Sequence, residues 1–409
     1  MKNFDPLILF KIKNNSLSIG DLELSDIFNM GYTTPLYIYS KDIIKNKISI
    51  LRNQFSPNFK IYYSIKSNPF KDVISYLLKH IDGFEVSSIN ELNLALDTGI
   101  SGSNICYTGP AKNIDELELA IQSKAVISVE SKIEIEKAIR IGSNLNVSPN
   151  IIIRVNPNFK QHRAGMKMAS GSSPFGIDAE LIPKFIEWIE NAKLNLKGFH
   201  IYTGSQILDA DAINDAQCKT FQLFSELSGK CKNPVEIINV GGGFGIPYFS
   251  KHCPLDIHSV ANNLNSLLLE LGTKTFSRNL IPILELGRYI VGESGVYICK
   301  IIDKKISRGK TYLITDGGMH QHLAASGNLG QKVRKNFPIF IANKISSGKN
   351  EKVSITGKLC TPLDILADDV EISESEIGDY VVIMNSGAYG LSASPINFLG
   401  HPAAQEILL

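Results

Sequence analysis

Six short segments of this sequence place reactive side chains at the ends of apolar runs or between glycines. Tyr63-Ser64-Ile65-Lys66-Ser67-Asn68-Pro69 ends an apolar run in a lysine flanked by small and polar residues. A lysine drawn out of bulk water can lose its proton more readily and serve as a Schiff-base amine. Gly241-Gly242-Gly243-Phe244-Gly245 exposes backbone N–H groups that can cradle a phosphate. No Gly-Lys-[Ser/Thr] ending follows, so it is not a nucleotide P-loop. Glu285-Leu286-Gly287-Arg288 ends another apolar run in a carboxylate, and a buried carboxylate beside a pyridine nitrogen keeps that nitrogen protonated. His200-Ile201-Tyr202-Thr203-Gly204-Ser205-Gln206 offers an imidazole able to stack on a ring and a hydroxyl, Ser205, able to hold a phosphate. Leu359-Cys360-Thr361-Pro362-Leu363-Asp364 sets a thiol in a loop, and Gly387-Ala388-Tyr389-Gly390 sets a tyrosine between glycines.

Each segment taken alone admits a plainer account. Lys66 could be a surface lysine at a strand end, and the glycines a packing turn. Glu285 and Arg288 could form a structural pair, His200 could be a satisfied strand histidine, and Cys360 an inert thiol. His320 and His322 lack a third ligand at a matched spacing, so no metal site is expected.

These residues need a scaffold, and the hydrophobic pattern supplies one. From about Lys60, short apolar runs alternate with helical stretches. The expected strands are Ile61–Lys66, Phe84–Ser88, Ile105–Gly109, Ala125–Val129, Ile151–Asn156, Phe199–Thr203, Ile237–Gly241 and Pro282–Glu285. Helical periodicity occupies Asn90–Thr98, Asp115–Ser123, Ser131–Ile141 and Ile257–Leu271. This alternation predicts a closed (β/α)₈ TIM barrel, with a doubly wound open sheet as the alternative. Active residues of a barrel sit at the C-terminal ends of its strands, where Lys66, His200, Gly242 and Glu285 fall.

After Arg288 the texture changes. Val291–Ile302, Tyr312–Asp316, Val353–Thr356 and Tyr380–Asn385 are β-rich and are separated by turn signals such as Ser307-Arg308-Gly309. The expected organisation is a segment 1–34 joining a β domain, a barrel over 35–288, and a C-terminal β domain, a barrel or sandwich, over 289–409.

Charge and composition narrow the function class. A net charge of +2 without a Lys/Arg block implies no nucleic-acid partner. No apolar run approaches the ~18 residues of a membrane helix. The run Pro6–Phe10 is too short for a signal peptide, so secretion is not expected and the cytoplasm is the default. The sequons at Asn14 and Asn146 then carry little meaning. Six cysteines without a Cys-x-x-Cys pair suggest neither zinc nor a disulfide framework.

Together and in this order, the segments resemble the alanine-racemase-fold (fold-type III) decarboxylases, which include the diaminopimelate, ornithine and arginine enzymes. The resemblance runs from about Thr34 to His401. It implies pyridoxal 5'-phosphate as cofactor, with Lys66 as the covalent anchor and His200 stacked on the ring. Glu285 would pair with the pyridine nitrogen. Ser205, Gly242, Gly243, Phe244, Gly245, Gly287, Arg288 and Tyr389 would hold the cofactor. Cys360 would protonate Cα from the partner subunit of a head-to-tail homodimer with shared active sites. Thr361, Asp364 and Tyr389 would meet the substrate.

Two departures from the family pattern stand out. The family commonly has His-x-Gly-Ser-Gln, whereas Tyr202 and Thr203 intervene here. Diaminopimelate and ornithine enzymes follow the cysteine with an acid that grips a distal ammonium, whereas this chain has Thr361, which cannot offset a desolvated charge. Four stretches resemble the branch of the butirosin type that decarboxylates a glutamyl group on a carrier protein. They are Gly242–Tyr248, Asp316–His320, Leu359–Pro362 and Asn385–Leu391. The expected activity is thus decarboxylation of an amino acid with an uncharged distal end. The alternatives are a diaminopimelate or other basic amino-acid decarboxylase, a racemase, a non-enzymatic pyridoxal-phosphate carrier, and a phosphosugar aldolase. A racemase of this fold would place an arginine where Glu285 stands.

Overall fold

The computed structural model describes residues 4–159, 171–192, 194–249, 251–272, 280–329, 331, 333–346 and 348–409, with the backbone of 166–167. The chain forms two compact units. One comprises Ile48–Gly245 and Leu255–Gly287, the other Met1–Lys47, Ile246–Pro254 and Arg288–Leu409.

The first unit is a closed parallel barrel. Its strands are β1 (Lys60–Ser64), β2 (Gly83–Val86), β3 (Ile105–Tyr107), β4 (Val126–Val129), β5 (Asn150–Asn156), β6 (Asn195–His200), β7 (Ile237–Gly242) and β8 (Ile281–Leu286). Each pairs with the next, and β8 returns to β1 through Glu285↔Tyr62 and Leu286↔Tyr63. Closure removes both sheet edges and excludes the open-sheet alternative. Side-chain caps start the intervening helices. Ser88 Oγ accepts from Glu91 N, and Asn113 and Glu116 form a reciprocal capping box ahead of Ile114–Gln122.

All eight expected strands are present, with ends that differ from the expected ones by up to four residues. β1 stops at Ser64, and Lys66 stands in the helical turn Ile65–Ser67. β6 begins at Asn195 rather than Phe199, because the polar Lys197 dilutes its apolar pattern.

Side-chain alternation sorts the barrel interior into layers. Tyr62, Cys106, Val126, Ile152, Ile237 and Ile283 form one apolar cluster. Two residues further along the same chain paths stand Ser64, Thr108, Ser128, Arg154, Asn239 and Glu285, all buried. A polar layer therefore caps an apolar one at the C-terminal end of the strands.

The second unit is built on a mixed sheet ordered Ile339–Ile341, Tyr380–Ile383, Gly295–Ser307, Lys310–Thr315, Asn350–Thr356 and Ile365–Ser373. The long strand Gly295–Ser307 pairs with Tyr380–Ile383 and Leu36–Tyr39 over its first half and with Lys310–Thr315 over its second. Residues 35–47, expected with the barrel, belong here. Leu36–Tyr39 is wholly buried between Gly295–Ser307 and Gln405–Leu408, and Leu36 and Ile38 join Leu17, Val296, Ile298 and Val382 in this unit's core. Val291 ends a short helix, Arg288–Val291, so the first strand begins later than expected.

Candidate active site

The turn that carries Lys66 is rigidly held. Ser67 Oγ donates to Ser64 O at 2.8 Å and to Tyr63 Oη at 3.1 Å, and Tyr63 Oη donates to Asn68 O at 2.9 Å. Gly287, just past β8, has no side chain because a Cβ there would lie 2.7 Å from Ser67 Cβ and Oγ.

Lys66 Nζ donates to Glu85 Oε1 at 2.9 Å, with 44% of the lysine side chain exposed and Glu85 buried. The same oxygen accepts from Ser87 Oγ at 3.1 Å and from Thr108 Oγ1. Burial alone would raise the Glu85 carboxyl. The Lys66 ammonium and the bonds from Thr108 and Lys66 outweigh it and hold the group below the usual carboxylate range. Behind it, Glu91 Oε2 accepts from Ser87 N at 2.7 Å. Burial, reinforced by the charge of Glu85, pushes Glu91 up to about 7.

Across the barrel mouth stand His200 and Glu285. Ser128 Oγ bonds His200 Nδ1 at 3.0 Å and orients the ring. His200 Nε2 is buried 3.4 Å from Glu285 Oε2 and, among the described residues, has no hydrogen-bond partner. Asn239 Nδ2 donates to the other Glu285 oxygen at 2.5 Å.

The glycine loop is zipped to the segment after β6. Ile207 N donates to Gly243 O at 3.0 Å, and Gly245 N to Ile207 O at 2.9 Å. Gly243 has φ +88°, and its missing Cβ makes room for the carbonyl of Gly204. Phe244 is buried against Phe55, 6.2 Å between ring centroids. Ser205 follows Gly204 in a short antiparallel pairing with Met166–Lys167. The inserted Tyr202 has a defined place, since its ring packs where a Cβ of Gly241 would stand.

In the second unit, Arg288 sits 4.5 Å from the Tyr389 ring centroid and 5.4 Å from that of Tyr248. Its Nη1 donates to Tyr248 Oη at 2.7 Å. Cys360 is exposed and Thr361 half-buried, with Thr361 Oγ1 accepting from Leu363 N at 3.4 Å. Asp364, expected at the substrate, holds the backbone of its own loop and of Met319. It is buried, and its two oxygens accept from Met319 N at 2.7 Å and Leu359 N at 2.8 Å, bracing the Cys360 loop. His320 and His322 diverge. His322 Nε2 bonds Ser386 Oγ at 2.9 Å, and the His320 ring lies 5.5 Å from that of His401. Among the described residues no group of three or more His, Cys, Asp or Glu is set to hold a metal, and no helix is long and apolar enough to cross a membrane.

Residues 41–292 match the family described as pyridoxal-dependent decarboxylase, pyridoxal binding domain. The chain is a member of that family. This decarboxylase is 36% identical over 382 residues to the L-glutamyl-[BtrI acyl-carrier protein] decarboxylase of Niallia circulans, covering 92% of this chain and 89% of that one. It is 30% identical to the diaminopimelate decarboxylase of Aquifex aeolicus, covering 100% and 94%. Among solved structures it resembles the Helicobacter pylori diaminopimelate decarboxylase complexed with L-lysine, with a TM-score of 0.83, 26% identity and 94% of each chain covered.

The barrel mouth of the decarboxylase fits pyridoxal phosphate. A lysine amine reaches its rim, a buried imidazole nitrogen lacks a hydrogen-bond partner among the described residues, a buried carboxylate stands beside it, and a glycine loop follows β7. Sequence reasoning missed Glu85, Thr108, Ser128 and Asn239. For Thr108, Ser128 and Asn239 the signal was a polar residue two positions after an inward apolar one, visible only once the inward face of each strand is fixed.

Proposed function

We propose that this pyridoxal-phosphate-dependent decarboxylase acts on an amino acid whose distal end is uncharged, a glutamyl group carried on an acyl-carrier protein. The carrying observation is Thr361, a neutral residue directly after Cys360. The two acids that could take the place of a carboxylate at position 361 both hold backbone N–H groups. Asp364 is occupied by two backbone N–H groups, and Asp209 caps Ala210–Ser228 through Ala212 N. A distal ammonium left without an anionic partner costs several kcal/mol, about a thousandfold in kcat/KM. The similarity to a glutamyl-carrier decarboxylase supports the same reading.

In this proposal Lys66 anchors the cofactor, and Glu85 receives its ammonium whenever the anchor is released. The bound pyridine ring supplies the electron sink for the pair left by departing carbon dioxide. Glu285 keeps a proton on the ring nitrogen, and Ser128 holds His200 in the orientation from which it stacks. Ser205, the Gly242–Gly245 loop and Arg288 beside Tyr389 take the phosphate. Cys360 of a second copy delivers the proton to Cα, so the working enzyme is a homodimer. It works in the cytoplasm, with no nucleic-acid or membrane partner.

Carbon-dioxide release from a γ-glutamyl carrier conjugate, its amide mimic, free diaminopimelate, ornithine and lysine tests the proposal. The conjugate or mimic should be preferred, and Thr361→Glu should shift preference toward the diamino acids. Turnover of free diaminopimelate at least as efficient as that of the conjugate would make this a diaminopimelate decarboxylase instead.

A further inference from the structure

The ladder between β7 and β8 is irregular just before Glu285 meets the glycine loop. Between β7 and β8 the register runs Asn239↔Ile283 and then Gly242↔Glu285, so β7 holds one residue more than its partner over that interval. Such a bulge breaks the ladder and re-aims the strand. Gly241, inside it, has φ +64°. The side chain of Asn239 bridges the irregularity. Its Oδ1 accepts from Gly241 N at 2.9 Å, and its Nδ2 donates to Glu285 Oε1 at 2.5 Å. Asn239 is fully buried, and beyond Glu285 its amide also approaches Cys106 Sγ at 3.8 Å.

We propose that Asn239 is a positioning residue that fixes the ring-facing carboxylate and the start of the phosphate-binding loop in one register, through the two ends of a single amide. The chemistry is specific to that group. One end must accept from a backbone N–H and the other must donate to a carboxylate, which aspartate cannot do when ionised and an apolar residue cannot do at all. The proposal rests on the roles given above to Glu285 and the glycine loop, and it goes beyond them by naming what holds the two together.

Asn239→Asp tests it. The variant keeps the acceptor for Gly241 but sets a second carboxylate against Glu285, and two such groups share a proton until rising pH removes it. The other titratable groups around this corner are His200 from β6, Tyr62 from β1 and Cys106 from β3, with Glu85 of β2 close enough for its charge to act on Cys106. Burial pushes the Tyr62 and Cys106 groups up, so both stay protonated through the range used.

Apoenzyme is reconstituted with pyridoxal phosphate, and the dissociation constant and visible spectrum are recorded against pH beside the wild type. The variant-to-wild-type ratio of dissociation constants should start near one in mild acid and climb about tenfold to a hundredfold in mild base, the range of a hydrogen bond to a charged group. In Asn239→Asp/Glu285→Gln the climb should vanish, because no carboxylate pair remains. Asn239→Ala should weaken cofactor binding by a similar factor at every pH while keeping the circular-dichroism spectrum of the fold. A pH-flat ratio in the aspartate variant would overturn the proposal, and so would unchanged cofactor affinity in the alanine variant. If the aspartate variant does not fold, the alanine variant decides. Glu285→Gln alone with wild-type spectrum and rate would strike at the role of Glu285 instead, which keeps the two failures apart.

Discussion

Gly287→Ala should damage the enzyme through the turn that carries Lys66. A Cβ at this position would meet Ser67 Cβ and Oγ at 2.7 Å and Ser64 Cβ at 3.1 Å. Carbon–carbon contacts are comfortable at about 3.5–4.0 Å, so the neighbours must give by roughly 1 Å. Gly287 is not among the left-handed residues, so contact rather than backbone strain sets the cost. Ser67 cannot simply rotate, because its hydroxyl bonds Ser64 O and Tyr63 Oη in a buried setting. The turn Ile65–Ser67 must move, and Lys66 with it. Overpacking of this kind costs about 1–3 kcal/mol of stability, and a displacement of about 1 Å at a reacting group costs about a hundredfold in rate. The assay is kcat for carbon-dioxide release, with a thermal melt and cofactor content on the same samples. Ser67→Gly in the alanine background opens the space and should recover most of the lost rate. A Gly287→Ala enzyme within about twofold of wild type in kcat, with an unchanged melt, would refute the reasoning, as would an alanine defect that Ser67→Gly leaves untouched.

Three further outcomes are expected. Glu91 is raised from the ordinary carboxyl value to about 7, so the folded state favours its protonated form; that contribution is present in acid and is lost as pH rises through about 7. Glu91→Gln should therefore raise the melting temperature more at about pH 8.5 than at about pH 5.5, and equal gains at both would contradict the assignment. Asp364→Ala strips two backbone N–H groups of a buried carboxylate, so a stability loss of at least about 1–3 kcal/mol is expected in denaturant melts; an unchanged midpoint would show that the Cys360 loop is braced elsewhere. Mixing Lys66→Ala with Cys360→Ala subunits should restore about a quarter of wild-type activity, since random pairing gives half the dimers one intact shared site. No recovery despite proven subunit exchange would end the shared-site proposal.

Much of the barrel was legible because strands buried on both faces read as short runs of Ile, Val and Tyr, and each run found its strand. Lys66 and Glu285 were legible for a related reason, as charged residues closing such runs. Asn239 and Ser128 were not, since a lone Asn or Ser inside a strand looks like dilution until the barrel turns that position inward. The bracing role of Asp364 was not legible, because its partners Met319 N and Leu359 N are backbone groups that leave no mark in the sequence. The exchange of Leu36–Tyr39 between units was hidden because its partners, Gly295–Ser307 and Gln405–Leu408, lie far along the chain. Long-range pairing leaves no local signal.

The most direct test of the whole account is to find where the cofactor is attached. The holoenzyme is reduced with borohydride, digested, and the pyridoxyl-bearing peptide identified by mass spectrometry. The label should sit on Lys66 alone and disappear in Lys66→Ala. A label on another lysine such as the buried Lys112, or an equally labelled Lys66→Ala enzyme, would contradict the account at its centre.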